Sequence, residues 1–233
     1  MSRPRGYAAW KSALSRLIPD YARLPLLVAL LWNCLVYYGS NLITSGWTHH
    51  MTALPIDARI PVVPWTASIY LGCYLFWVVG YILSTRQSRE SAFRFLSADF
   101  LAKTICLVCF LVFPTTTVRP VIDGPGFWDG VMRLIYRADS ATNLLPSIHC
   151  LVSWMCYLGV RNQNAVPRWY RIFSFWFALA VFLSTLTTRQ HVVLDVVCGV
   201  AIAGFSDAIT VPSGFAAWYT DIFDRLARRR SHL

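Results

Sequence analysis

The chain has 233 residues, of which 56% are apolar and only 14% are charged, and its mean hydropathy is +0.49. This composition excludes an ordinary soluble domain and predicts a membrane protein. The net charge of +10 does not require a nucleic-acid partner, because basic residues on the cytoplasmic side of a membrane protein produce the same excess.

Six apolar segments follow a basic, Trp-containing segment at residues 1–23. Each is close to the ~20 residues that a helix needs to cross the hydrocarbon core. The segments are residues 24–44, 65–84, 98–118, 144–160, 169–187 and 192–211. The sequence therefore predicts an all-α fold, an integral membrane bundle of six transmembrane helices. We expect an interfacial amino-terminal segment (1–23), a membrane domain (24–211) and a basic cytoplasmic tail (212–233).

The distribution of the 21 lysines and arginines predicts the orientation of these segments. Most of them, with Lys103 counted near the border, fall on one side if both termini are cytoplasmic, as the positive-inside rule requires. The exceptions are Arg59, Arg119, Arg133, Arg137 and Arg189. An arginine that breaks this rule is a better functional candidate than one that obeys it.

Three polar clusters interrupt the apolar pattern. They are Arg119-Pro120 after the third segment, residues 146–149 (Pro-Ser-Ile-His) at the start of the fourth, and residues 187–195 at the start of the sixth. With six crossings, all three clusters reach the extracytoplasmic face. We therefore predict that they form one site there, in a multi-pass protein of the cell membrane.

The residue types in these clusters suit phosphoryl transfer. His191 and Asp195 are four residues apart, so in a helix the carboxylate can orient one imidazole nitrogen and leave the other free to attack phosphorus. His149 can protonate the leaving oxygen as a general acid. Arg119 and Arg189 can bind phosphate oxygens through their guanidinium groups. The hydroxyl of Ser147, which completes the predicted phosphate-binding set, can donate a further hydrogen bond.

These motifs together resemble the three-part signature of the type 2 phosphatidic acid phosphatase superfamily. That superfamily includes lipid phosphate phosphatases, glucose-6-phosphatase, sphingolipid phosphotransferases and vanadium haloperoxidases. The resemblance covers residues 57–200 and includes Asn143 and Asp139 before the Pro-Ser-Ile-His sequence. It implies six helices, no metal or other cofactor, the later histidine as nucleophile, the earlier one as general acid and a lipid phosphate as substrate.

Two positions depart from the usual signature. The lysine seven residues before Arg119 is replaced by Val112, and the arginine six residues before His191 is replaced by Thr185. Arg189 is predicted to replace the missing arginine, and the hydroxyls around Thr115 the missing lysine. Asn143 and Asp139 are predicted to have support roles. This variant pattern resembles the branch that includes inositol phosphorylceramide synthase.

The sequence is compatible with three functions. The first is a lipid phosphate phosphatase that hydrolyses a phosphate or diphosphate ester through a phosphohistidine at the extracytoplasmic face. The second is a phosphotransferase that passes the phosphoryl headgroup to a lipid or polyol hydroxyl instead of water. The third is a non-catalytic lipid-binding or transport protein.

Overall fold

The structure is a computed structural model that describes residues 17–231. Its helices are α1 (Asp20–Thr44), α2 (Ala67–Ser84), α3 (Arg89–Val112), α4 (Phe127–Ala138), α5 (Ile148–Val160), α6 (Arg168–Thr187), α7 (Val193–Ile209) and α8 (Phe215–Ser231). The predicted interfacial segment at residues 1–23 lies mostly outside the described residues. Two short strands, β1 (His50–Met51) and β2 (Thr115–Thr116), pair in parallel.

The all-helical class that the sequence predicts is confirmed, but the number of membrane crossings is confirmed only in part. Within residues 17–231, four helices are long and apolar enough to cross a membrane: α1, α2 with its preceding turn, α3 and α6. The other two predicted spans contain α5, of 13 residues, and α7, of 17 residues. The fourth predicted segment is shorter as a helix because Ser147 caps it and α5 begins only at Ile148.

Helix α5 lies at the centre of the bundle and contacts α2, α3, α6 and α7. Its side chains are buried on all sides, which is typical of a helix in the middle of a bundle. Close packing depends on small residues where helices cross. A Cβ atom at Gly80 on α2 would lie 2.6 Å from the sulfur of Cys156 on α5. A Cβ at Gly199 on α7 would lie 2.5 Å from the carbonyl oxygen of Ser147.

The outside of the bundle is apolar. Large hydrophobic side chains are exposed on α1, α2, α6 and α7, among them Leu30, Leu31, Leu75, Val78, Trp176, Leu183 and Val197. Such a surface is unsuited to water and suits the hydrocarbon region of a bilayer.

The two ends of the bundle differ in chemistry. At one end, Asp207 on α7 forms salt bridges with Arg94 (3.3 Å) and Arg161 (2.9 Å). At the other end lie the loops around β1, β2 and α4, together with His149 and His191. We call this second end the histidine end. Lys103, which the count of basic residues placed near the membrane border, is buried within α3, fourteen positions after the start of that helix.

Candidate active site

His191 and Asp195 meet at the start of α7. The helix begins at Val193, so His191 precedes it and the two residues do not share a helical face as predicted. Instead, the Asp195 carboxylate reaches back over the helix start. Its Oδ2 accepts a hydrogen bond from the backbone amide of Val192 at 3.0 Å and lies 3.2 Å from Nδ1 of His191. The same carboxylate therefore caps the helix and orients the imidazole.

His149 lies in the first turn of α5, inside an aromatic enclosure provided by α2. Its ring stacks on Tyr70, with ring centroids 4.5 Å apart, and lies 5.4 Å from the ring of Trp77. Its Nε2 is 3.3 Å from the hydroxyl of Tyr74. The stacked ring and the hydrogen bond hold the imidazole in one orientation, and its role as a general acid stays a prediction.

The two imidazoles face each other across the polar end of a cleft. Their ring centroids are 5.7 Å apart, and both rings line a cavity of about 710 Å³. From the histidines, the cavity extends into the space between α1 and α2. The residues that line it there include the exposed side chains of Tyr38, Leu71 and Val78. The site thus joins a pair of titratable groups to an apolar channel that opens on the side of the bundle.

Arg119 is held by backbone carbonyls beside this cleft. Its guanidinium donates to the carbonyl oxygens of Asp139 (2.6 Å), Ser140 (3.3 Å) and Tyr136 (3.4 Å), and to the side-chain oxygen of Gln190. It also lies over the ring of Tyr136, 4.9 Å from the centroid. Through Gln190, Arg119 connects α4 to the turn that carries the second histidine.

Arg189 is held in a similar way on the other side of that turn. It has a positive φ of 54°, and its guanidinium donates to the carbonyl oxygens of Asp57 and Ile60. The Asp57 carboxylate in turn accepts a hydrogen bond from the amide of Val193 at 2.8 Å. Arg189 and Asp57 thus fasten the loop before α2 to the start of α7. Phosphate binding by Arg119 and Arg189 stays a prediction.

Tyr136 adds a third connection to the same turn. Its hydroxyl donates to the carbonyl oxygen of Thr188 at 2.8 Å. Burial raises the pKa of this hydroxyl, although the positive charges of Arg119 and Arg189 act in the opposite direction. Tyr136 is therefore a neutral donor at ordinary pH.

Ser147 and Thr115 use their hydroxyls to organise backbone. Ser147 is fully buried, and its Oγ accepts from the amide of Cys150 at 3.3 Å, which makes it the amino-terminal cap of α5. Thr115 Oγ1 accepts from the amides of Leu144 (3.0 Å) and Leu145 (2.9 Å). Thr115 thus shapes the segment that leads into α5, and its support role at the site stays a prediction.

Asn143 and Asp139 line the cleft beside the histidines. The side-chain amide nitrogen of Asn143 donates to Thr44 Oγ1 at 2.9 Å, which attaches the segment before α5 to α1. The Asp139 carboxylate accepts hydrogen bonds from the hydroxyls of Tyr70 (3.2 Å) and Tyr37. Tyr37 lies in a π-helical turn of α1, a distortion that is frequent at functional sites.

The aromatic enclosure around His149 and the role of Gln190 were not predicted from the sequence. Tyr70, Tyr74 and Trp77 are spaced by four and three residues, so they share one face of α2. That spacing was a detectable signal. Gln190 gave no signal of its own, since its contact with Arg119 depends on how distant segments pack.

The fold and the site define an all-helical protein with helices of membrane-spanning length and a histidine-lined cleft. A family model described as the PAP2 superfamily matches residues 43–209. The chain therefore belongs to the PAP2 superfamily, which confirms the resemblance found in the sequence. A search of curated proteins and a search of solved structures gave no match. Membership supports an enzyme of the phosphatase or phosphotransferase type that acts on phosphate esters.

Proposed function

We propose that this protein is a membrane phosphatase that hydrolyses lipid phosphate esters through a phosphohistidine at His191. The observation that carries the proposal is the facing pair of imidazoles at the polar end of an apolar cleft. The ring centroids lie 5.7 Å apart and both rings line the cleft, so the two imidazoles are at the same end of it. The lateral opening between α1 and α2 suits a substrate whose chains remain in the bilayer.

In the first step, the free ring nitrogen of His191 attacks phosphorus, a nitrogen–phosphorus bond forms and the ester oxygen–phosphorus bond breaks. His149 gives its proton to the departing alkoxide. Asp195 stabilises the positive charge that develops on the His191 ring, because its carboxylate lies 3.2 Å from Nδ1.

In the second step, neutral His149 takes a proton from water, and the resulting hydroxide attacks the phosphohistidine. The nitrogen–phosphorus bond breaks, and inorganic phosphate leaves. The site returns to its starting protonation state. If a lipid or polyol hydroxyl replaces water in this step, the same residues carry out a headgroup transfer instead.

We further propose that the histidine end faces the extracytoplasmic side and that both termini are cytoplasmic. The excess of arginine at the opposite end of the bundle supports this orientation.

Trapping the phosphoenzyme tests the proposal. The purified full-length protein, mixed with phosphorus-32-labelled phosphatidate and quenched in alkali, is expected to carry acid-labile label, and vanadate is expected to inhibit turnover. His191→Ala should abolish the label. His149→Ala should accumulate it when p-nitrophenyl phosphate is the donor, because this leaving group needs no acid but dephosphorylation needs the base.

His50→Ala is the matched control, since His50 is exposed and stacks on Phe113 away from the cleft. It should label like the unmodified protein. Label that persists in His191→Ala, or its absence from the unmodified protein under turnover, would contradict the mechanism. Phosphate release only when a hydroxyl acceptor is added would identify the transferase.

A further inference from the structure

A charged pair lies buried within the bundle, away from both of its ends. Lys103 and Asp99 are four residues apart on α3, are 2% and 0% exposed, and are joined by a salt bridge of 2.9 Å. The hydroxyl of Tyr81 on α2 donates to the other Asp99 oxygen and lies 3.2 Å from the Lys103 ammonium nitrogen. We call these three residues the buried triad.

Burying such a pair is costly, and ionisable residues within membrane-length helices tend to serve a function. The phosphoryl-transfer mechanism does not use the buried triad. Its position suggests another role, because Lys103 and Tyr81 line the same cleft as His149 and His191. The triad is therefore accessible to the part of a ligand that lies in the cleft.

The ammonium group of Lys103 has one hydrogen-bond donor to spare. A lysine carries three N–H donors, and within the described residues its contacts are with Asp99 and with the Tyr81 hydroxyl. The remaining N–H is free to point into the cleft. Since Asp99 balances the charge of Lys103, the triad suits a neutral acceptor oxygen better than a second phosphate.

The depth of the triad fits the backbone of a lipid. On α2, Tyr74 contacts His149 and Tyr81 contacts Lys103. Tyr74 and Tyr81 are seven positions apart, which corresponds to a rise of about 10 Å along the helix. A phosphate held at the histidines would place the carbonyl of an ester or amide linkage at this depth. A polyisoprenyl chain would place only hydrocarbon there.

We infer that the buried triad binds an ester or amide carbonyl oxygen of the lipid, with Lys103 as the donor. The site thereby selects lipids with a glycerol or sphingoid backbone over polyisoprenyl phosphates. This inference rests on the proposed function for the position of the phosphate. The contact itself does not depend on turnover, so it can be measured separately.

The test compares a pair of substrates that differ only in the ester carbonyls, together with a sphingoid lipid that carries an amide. The full-length protein in detergent micelles is given diacyl phosphatidate, its dialkyl ether analogue of equal chain length, and ceramide 1-phosphate. We expect kcat/KM for the diacyl lipid to exceed that for the ether by about tenfold, because one hydrogen bond from a charged donor contributes about this factor. A high value for ceramide 1-phosphate would identify an amide as the preferred acceptor.

Removing the triad's charges should remove the preference. The double variant Lys103→Met/Asp99→Asn replaces both charges, so it leaves no unpaired ion in the bundle. We expect its kcat/KM values for the diacyl and the ether lipid to be equal within about twofold, because the hydrogen bond that distinguishes the two lipids is lost. Arg86→Met, which removes an exposed cation from the loop between α2 and α3, is the matched control and should keep the preference.

Equal kcat/KM values for ester, amide and ether lipids in the unmodified protein would overturn the inference, and this comparison needs no variant to fold. A preference that persists in the folded double variant would also overturn it. Non-hydrolysable diacyl and dialkyl phosphonates separate the two proposals. Stronger thermal stabilisation by the diacyl compound without any turnover of phosphates would support the triad and contradict the phosphatase.

Discussion

The guanidinium of Arg189 lies between two loops at the histidine end. Both of its terminal nitrogens donate to backbone carbonyls of the loop that precedes α2, those of Asp57 and Ile60. These two bonds use one N–H of each terminal nitrogen, out of the five N–H groups of the guanidinium. Arg189 therefore holds the loop against the start of α7, next to His191.

Arg189→Met distinguishes this positioning role from direct phosphate binding. We expect the melting temperature in detergent to fall by about 5 °C, because two hydrogen bonds from a charged donor are lost. The inhibition constant of vanadate should change by less than about twofold. Differential scanning fluorimetry and vanadate titration of phosphate release measure the two effects.

Arg59→Met is the control for this experiment, because Arg59 is exposed and belongs to the same loop. It should change neither quantity. If Arg189→Met instead weakens vanadate inhibition tenfold or more while the melting temperature is unchanged, Arg189 contacts the phosphate as the sequence predicted.

Individual residues at this site were predictable where the chemistry is local. His191 and Asp195 were identified because an imidazole and a carboxylate four residues apart are unusual at the start of an apolar segment. Their contact was predicted from a shared helical face. In the structure it arises because the Asp195 carboxylate reaches back over the start of α7. The partners of Arg119 were not predictable, because they belong to segments that meet only in the folded chain.

At the scale of helices, the site depends on how closely α7 approaches α5. The amide of Ser147, just before α5, donates to the carbonyl oxygen of Asp195 on α7 at 3.0 Å. Gly199 lies one turn further along α7, where a Cβ atom would be 2.5 Å from the Ser147 carbonyl oxygen and 3.4 Å from the Leu151 amide nitrogen. These neighbours are backbone atoms, which cannot move aside as a flexible side chain could.

Gly199→Ala is therefore expected to push α7 away from α5. The protein should lose about 1–3 kcal/mol of stability through overpacking. The displaced Asp195 should lower kcat by at least tenfold, since small misplacements of catalytic groups are costly. Thermal unfolding and phosphate release from phosphatidate measure these effects.

Gly204→Ala provides the comparison on the same helix. A Cβ atom there meets nothing within 4 Å, and alanine favours a helix over glycine. This variant should be as stable and as active as the unmodified protein, or slightly more stable. Equal behaviour of the two alanine variants would show that the approach of α7 to α5 does not control the site.

The helices themselves were predicted with unequal success. Long apolar stretches identified α1, α2, α3 and α6, because length and hydropathy together determine such segments. The start of α5 was placed too early, since apolar residues before it form a loop that Thr115 holds through hydrogen bonds. Hydropathy does not distinguish a buried loop from a helix.

At the scale of the whole molecule, the proposed orientation in the membrane can be tested at the two ends of α2. Gly46 follows α1 and Gln87 follows α2, so α2 is the helix of membrane-spanning length that separates them along the chain. A Cβ atom at position 46 meets nothing within 4 Å, and Gln87 is exposed. Cysteine should therefore be tolerated at both positions.

We expect a membrane-impermeant maleimide to label Gly46→Cys in intact cells and Gln87→Cys only after the membrane is permeabilised. The reason is that the histidine end, which includes position 46, faces outward if the arginine-rich end is cytoplasmic. The unmodified chain, whose seven cysteines are buried or partly buried, measures the background. The reverse pattern would place the histidines in the cytoplasm. Equal labelling of both positions would mean that α2 does not cross the membrane, which is incompatible with a cleft that opens sideways into lipid.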